Sequence, residues 1–387
     1  MRTLPAPTRI AVPDLELRDP ASRSFATVRP RSFRYRQVIV SDAERIGLAP
    51  GYSISRVING CWQLTSDHGG GPGTEKEALR TFAELVDHGF TTFDCADIYA
   101  GSEEILGKFR RSLPDPHSIQ IHTKLVPNKA TLKEFDNRKI DAALDRSLKK
   151  LGVDQIDLLQ YHWWDYDVPG IERLTSRLLN AQSAGKIRLL GVTNFNTTNL
   201  QYQLNTGASI VSMQAQYSLL DRRPERYMTG FCAKKGINLL PYGVLAGGFL
   251  TDRYLGRASP VTMNRSLQKY RLIIDEVGGW NALQRLLELL SGIAIKHDTT
   301  IDAIAARWAL DQPAVSAIIL GIGSQSRARQ NAALGHLQID DEDRQSIAAH
   351  LKTQAIPPGD MYDLERDIDG PHTKIIKVNL QDANESR

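Results

Sequence analysis

From about residue 54 onward the chain alternates between two apolar patterns. Short, largely apolar runs of β type occupy 55–59, 91–93, 119–123, 156–160, 187–192, 210–213, 237–241 and 317–320. They predict strands, and several are too apolar to be half-exposed edges, as expected of parallel strands covered on both sides. The stretches 75–87, 102–111, 138–151, 171–184, 198–205, 225–235 and 324–334 lie between or after them and read as helices. In one of these, Leu144, Leu148 and Leu151 recur at helical spacing. Gly89, Gly152, Gly185 and Gly236 stand between a helix and the next strand, where a left-handed residue closes the helix.

About eight strand–helix pairs in roughly 280 residues predict an α/β chain folded as a closed (β/α)8 TIM barrel. An open doubly wound sheet would carry GxGxxG after its first strand, and that fingerprint is missing. HGGGPG at 68–73 lacks a Walker lysine and reads as a flexible turn. The segment 249–283 breaks the alternation and is expected to be a long, lid-like loop after the seventh barrel strand. The expected organisation is a poorly ordered arm at 1–40, a barrel at 41–355 and a tail at 356–387.

Composition narrows the function classes. The 387 residues are 41% hydrophobic and 24% charged, with a net charge of +4. That charge is too small and too dispersed to suggest a nucleic-acid partner. Cys61, Cys95 and Cys232 are far apart and form no CxxC, which argues against a disulfide framework or zinc site and for a reducing, cytoplasmic setting. No apolar run approaches the ~18 residues of a membrane span. The arm is rich in Arg, Ser and Pro, as organelle import segments are, but Asp14, Glu16 and Asp19 argue against import.

In a TIM barrel, functional groups gather at the C-terminal ends of the strands. The runs here end in Asp94, with Tyr99 in the following loop, and then in Lys124, His162, Thr193 with Asn194, Gln214, and Tyr242. Each alone has a plain structural reading. Together on one rim they suggest specific chemistry. A phenol with an ordinary pKa near ~10 protonates a carbonyl poorly unless its anion is stabilised. Lys124 could provide that stabilisation, Asp94 could pair with the buried ammonium, and His162 could donate a hydrogen bond to the substrate oxygen. No metal-ligand cluster and no serine or cysteine nucleophile with an adjacent base is evident. The carbon must then receive hydride from a nicotinamide, because no side chain supplies it. Asn194 and Gln214 could hold its carboxamide, and Tyr242 could stack on its ring.

The stretches FDCADIYAGSEEILG, IHTK, IDLLQYHWW, KIRLLGVTNF, MQAQYSLL, LLPYGVLAGGFLTDRY and IILGIGSQSRARQN resemble the aldo-keto reductase family, in order, over about residues 50 to 340. The resemblance implies Asp94, Tyr99, Lys124 and His162 as a catalytic tetrad with Tyr99 the proton donor. It implies cofactor contacts at Thr193, Asn194, Gln214, Tyr242, Gly243, Leu245, Gly321, Ser324, Arg327 and Asn331. Arg327 suits a 2′-phosphate, and a helix opening at Ser324 would add N–H donors, so NADP(H) is favoured. Gly321 and Gln330 depart from the family pattern and leave room for NAD(H). Trp62, Trp163, Trp164 and Trp280 are candidate pocket walls, which would suit a hydrophobic or ring-bearing aldehyde or ketone. The expected activity is NADP(H)-dependent interconversion of a carbonyl and an alcohol, without metal, nucleic acid or membrane. A nicotinamide-nucleotide sensor with little turnover and a redox-neutral enzyme are the alternatives. Oligomeric state is not legible.

Overall fold

A computed structural model describes residues 43–64, 73–261, 264–323 and 326–376. The expected arm at 1–40, most of the HGGGPG turn and Ser324 lie outside the described residues. The described residues hold ten strands: β1 (Arg45–Ala49), β2 (Tyr52–Ser55), β3 (Val57–Gly60), β4 (Thr92–Asp94), β5 (Gln120–Leu125), β6 (Ile156–Tyr161), β7 (Ile187–Thr193), β8 (Ile210–Gln216), β9 (Asn238–Tyr242) and β10 (Ile318–Gly321). The last eight form one parallel sheet in the order β10-β3-β4-β5-β6-β7-β8-β9. Its two edges meet at Leu239 and Val315, where the Leu239 N–H donates to the Ala314 carbonyl at 2.8 Å and the Ser316 N–H to the Leu239 carbonyl at 3.2 Å. This is the (β/α)8 TIM barrel that the alternation predicts.

The strand expected at 55–59 is β3, whereas β1 and β2 form an antiparallel hairpin ahead of it that the sequence pattern does not predict. Its Leu48, Tyr52 and Ile54 pack against Ile58, Leu158, Leu240 and Ala317 inside the barrel. The hairpin turns at Gly51, whose φ of 68° suits a residue without Cβ.

Helices Glu75–Asp87, Ser102–Ser112, Asn137–Leu151, Ile171–Ser183 and Thr197–Asn205 follow the expected positions closely. Asn137–Leu151 shows why: Asp136 caps its start by accepting from the Lys139 N–H, and Gly152 closes it at φ 67°. Met228–Lys235 begins later than expected because Pro224 sits in a separate 3-10 turn, Arg223–Glu225. The segment 249–283 is not one long loop. From Arg265 to Glu276 it is helical, capped by Asn264, with Tyr270, Ile273 and Ile274 buried at helical spacing. A second helix, Gly279–Lys296, follows. The final expected helix runs Ala328–His336 rather than 324–334.

The tail does not stand apart from the barrel. Arg226 donates to the carbonyls of Ile356 and Gly359, both at 3.1 Å, and the Thr197 N–H donates to Asp360 at 2.7 Å. Buried Arg223 is held between Asp221 (2.7 Å) and Glu365 (2.8 Å). These contacts lay the short helices Asp363–Arg366 and Pro371–Ile375 across the C-terminal mouth of the barrel. Among the described residues, no helix is long and apolar enough to cross a membrane.

Candidate active site

Strand register brings the polar strand ends together. Asp94 pairs with His122, Lys124 with Gln160, Thr193 with Gln214, and Gln216 with Tyr242. Within that ring the Lys124 ammonium lies 2.5 Å from Asp94 Oδ2 and 2.9 Å from the Cys95 carbonyl. Its third N–H is left for the side of Tyr99, whose ring centroid is 4.8 Å away. The other Asp94 oxygen accepts from Gln160 at 3.1 Å and Gln214 at 2.7 Å. The carboxylate is therefore fully engaged although almost wholly buried. Burial opposes the charge on Lys124, but Asp94 and then Tyr99 outweigh it and push the ammonium's pKa up. It stays charged.

The pKa of the Tyr99 phenol is raised, first by burial, with Lys124 pulling the other way. The sequence reading stressed only the second influence. The net result keeps the phenol protonated at neutral pH, as a proton donor needs. Lys124, as the opposite charge beside it, favours the phenolate form.

His162 differs from expectation. Its Nδ1 lies 3.0 Å from the Thr193 carbonyl. A carbonyl only accepts, so Nδ1 carries the ring proton. Burial first, and Arg366 second, lower the His162 pKa to about 3. The ring is neutral, and Nε2 is an acceptor, buried without a partner among the described residues. His162 therefore cannot donate to a carbonyl oxygen, as the sequence reading expected, though it can accept from a hydroxyl.

A stability prediction follows. Burial lowers His162 from 6.5 to about 3 and His122, deeper in the barrel, from 6.5 to about 4. Unfolded, both bind protons more readily, so their contribution is complete above pH ~6.5 and is lost as pH falls. Urea unfolding between pH 6.5 and 4.5 should lose on the order of 1 kcal/mol per pH unit for each histidine. His162→Asn should flatten the profile by one histidine's share, and an unchanged slope would contradict the assignment.

The expected cofactor residues separate into groups. The Tyr242 hydroxyl donates to Asn194 Oδ1 at 2.9 Å, and the Gln214 amide N–H groups go to Asp94 and Gln160. Among the described residues, Asn194 Nδ2 and Gln214 Oε1 have no hydrogen-bond partner. One is a donor and the other an acceptor, the complement of a carboxamide, and both residues line a cavity of about 410 Å³ beside Tyr99. Thr193, Gly243, Leu245, Gly321 and Arg327 line it too. Tyr242 carries the Lys269 ammonium 4.9 Å from its ring centroid, so one ring face is already in use. The Arg327 guanidinium is ion-paired with Asp302. Asn331 is buried in its helix and is not part of the cavity wall. With the helix beginning at Ala328, the N–H donors expected at its opening start there rather than at Ser324.

The four tryptophans divide. Trp62 lies edge-on to Tyr99, with centroids 4.8 Å apart, and Trp164 edge-on to His162 at 4.5 Å. Both line the cavity. Trp163 is turned into the core, donating to the Val168 carbonyl at 3.1 Å. Trp280 packs on Phe249 and Tyr254 and donates to the Arg257 carbonyl at 2.8 Å. Neither forms the pocket wall. Sequence reasoning missed Gln160, Lys269, Tyr270, Tyr362 and Glu365. Gln160 interrupts an apolar strand and could have been suspected on that ground. The tail residues gave no local signal.

Three kinds of comparison bear on this geometry. The family model described as "Aldo/keto reductase family" matches residues 56–352. Aldo-keto reductase YhdN of Bacillus subtilis is 27% identical over 318 residues, covering 80% of this chain and 93% of that protein. The NADH-specific methylglyoxal reductase of Escherichia coli is 26% identical, covering 75% and 93%. Among solved structures, the glycerol dehydrogenase of Gluconobacter oxydans shares the fold with a TM-score of 0.67 at 24% identity, covering 83% of this chain and 98% of that one. With a family model spanning the barrel and its strand-end residues, the chain belongs to the aldo/keto reductase family.

Proposed function

We propose that this protein is an oxidoreductase that interconverts an aldehyde or ketone with its alcohol, prefers NADP(H), and uses Tyr99 as the proton donor. The observation that carries the reading is the Lys124 ammonium, fixed 2.5 Å from Asp94 and set against the Tyr99 ring on the floor of the cavity. A bound nicotinamide dinucleotide supplies or takes up the hydride. Asn194 Nδ2 and Gln214 Oε1 would hold its carboxamide, with Thr193 beside them. The nicotinamide ring would lie on the face of Tyr242 that Lys269 leaves. Gly243, Leu245 and Gly321 would follow its length.

Tyr99 donates its proton to the substrate oxygen, and Lys124 stabilises the phenolate that remains. His162 Nε2 accepts from the hydroxyl of the alcohol and so orients it. In the carbonyl form Tyr99 is the donor. Trp62, Trp164 and Tyr362 give the cavity aromatic walls, which supports a ring-bearing or hydrophobic small molecule as substrate. The proposed organisation keeps the arm at 1–40, the barrel at 41–355 and the tail at 356–387, with the tail supplying part of the pocket. Three buried, unpaired cysteines support a reducing, cytoplasmic setting.

The cofactor preference turns on Arg327. Its ion pair with Asp302 positions it but offsets part of its charge, so the proposed preference for NADPH is modest and NADH is also used. Arg327→Ala should weaken NADPH by about tenfold, the worth of one charge-assisted hydrogen bond, and leave NADH within about twofold. Equal losses for both would remove Arg327 from the 2′-phosphate site. The activity itself is tested by mixing the protein with NADPH and a panel of aldehydes and ketones and following NADPH absorbance. Tight binding without turnover on any of them would favour a nucleotide sensor.

A further inference from the structure

The tail residue Arg366 holds together the two loops that carry the proposed working groups. Its Nη2 donates to the Trp163 carbonyl at 2.9 Å and the Asn194 carbonyl at 3.0 Å. Its Nε donates to the Trp164 carbonyl at 3.1 Å. The guanidinium lies 4.2 Å from the Tyr166 ring centroid and 5.2 Å from that of Tyr362. Trp163 and Trp164 directly follow His162, and Asn194 directly follows Thr193. One planar fork therefore joins the loop after β6 to the loop after β7.

Asn194 needs such support. Its φ is 60°, a left-handed conformation that asparagine visits more readily than other residues with a Cβ but that still costs free energy and is fixed here by its surroundings. Its backbone N–H donates to the Gln214 carbonyl at 2.9 Å, and its side-chain oxygen accepts from Tyr242 at 2.9 Å. Arg366 takes its carbonyl, the remaining backbone handle. His162 is held in parallel: its Nδ1 is bound to Thr193, and its ring stands edge-on to Trp164 and to Tyr362, the latter at 5.4 Å.

We propose that Arg366 is a positioning residue, one that aims Asn194 at the nicotinamide end of the cofactor and keeps His162 Nε2 turned to the substrate. The proposal rests on the function proposed above. A lysine cannot replace Arg366, because a single ammonium cannot reach three carbonyls laid out for a planar fork. Nor does Arg366 alone anchor the tail. Asp360 on the Thr197 N–H, Glu365 on Arg223, and Arg226 on Ile356 and Gly359 remain when it is replaced. The expected consequence is local.

The test compares ligands that do and do not reach Asn194. Full-length wild type, Arg366→Met and Arg366→Lys are titrated with NADPH and with 2′,5′-ADP, which lacks the nicotinamide half. Arg366→Met should weaken NADPH by about tenfold or more, as expected for lost charge-assisted bonds, and leave 2′,5′-ADP within about twofold. Arg366→Lys should recover only part of the loss. A double-mutant cycle with Asn194→Ala supplies a second readout: the double variant should bind NADPH no more weakly than Asn194→Ala alone. Unchanged NADPH affinity in Arg366→Met, parallel loss of both ligands, or additive losses in the cycle would each overturn the proposal. If wild type binds no dinucleotide at all, the cofactor reading falls and the positioning role with it. If wild type binds and Arg366→Met binds equally well, only the positioning role falls. Should Arg366→Met fail to fold, Arg366→Gln and Arg366→Lys carry the same comparison.

Discussion

Tyr99→Phe is expected to lower turnover of every good carbonyl substrate by at least 10²–10⁴-fold, the range for loss of a positioned general acid. The change removes one oxygen and keeps the ring between Trp62 and Lys124, whose contacts are both 4.8 Å. NADPH affinity should stay within about twofold, since the proposed carboxamide and 2′-phosphate contacts do not involve Tyr99. The loss should be near the upper end of that range because His162 offers no substitute donor. Its proton is committed to Thr193 and its Nε2 only accepts. Steady-state kinetics with a fluorescence titration of NADPH checks both halves. Turnover within tenfold of wild type would remove Tyr99 from its role.

Lys124→Met is expected to affect stability and activity together. Removing one partner of a buried pair leaves the other charge uncompensated, at a cost of about 3–5 kcal/mol. The side chains of Lys124 and Asp94 are only 5% and 4% exposed, so solvent offers little relief. Gln160 and Gln214 still bind Asp94, which places the expected loss at the low end of that range. Adding Asp94→Asn to Lys124→Met should restore part of the stability, because no lone carboxylate remains. It should not restore turnover, because nothing then stabilises the Tyr99 phenolate. Chemical unfolding and kinetics on the three variants separate the two effects. Recovery of activity in the double variant would show that Lys124 matters only for folding.

Asp94 and Lys124 are legible in the sequence because each ends a predicted strand. Asp94 closes TTFD and Lys124 closes IHTK, and polar groups in those places would be costly without a purpose. The same logic singles out Thr193, Asn194, Gln214 and Tyr242, all of which line the cavity. It could not divide the tryptophans. Trp163 and Trp164 are neighbours in sequence, yet one faces the core and the other the cavity, a choice made by the loop and not by composition. Nor could it find the tail. Arg366 lies 203 positions from Trp163, and MYDLER has no periodicity to suggest burial. The segment 249–283 was misread for a related reason. Its helical spacing at Tyr270, Ile273 and Ile274 was present, but an extra helix in a barrel connection looks like an insertion. The partner of Arg327, Asp302, comes from a different helix and became visible only through packing.

The central claim is that hydride passes between a nicotinamide and a carbonyl carbon above Tyr99 while the oxygen takes a proton from the protein. Incubation with NADPH deuterated at the transferring position, followed by mass spectrometry of the alcohol, measures this directly. The account predicts one deuterium on the carbinol carbon and an exchangeable proton on oxygen. An alcohol with only protium at that carbon, formed while the cofactor keeps its label, would contradict it.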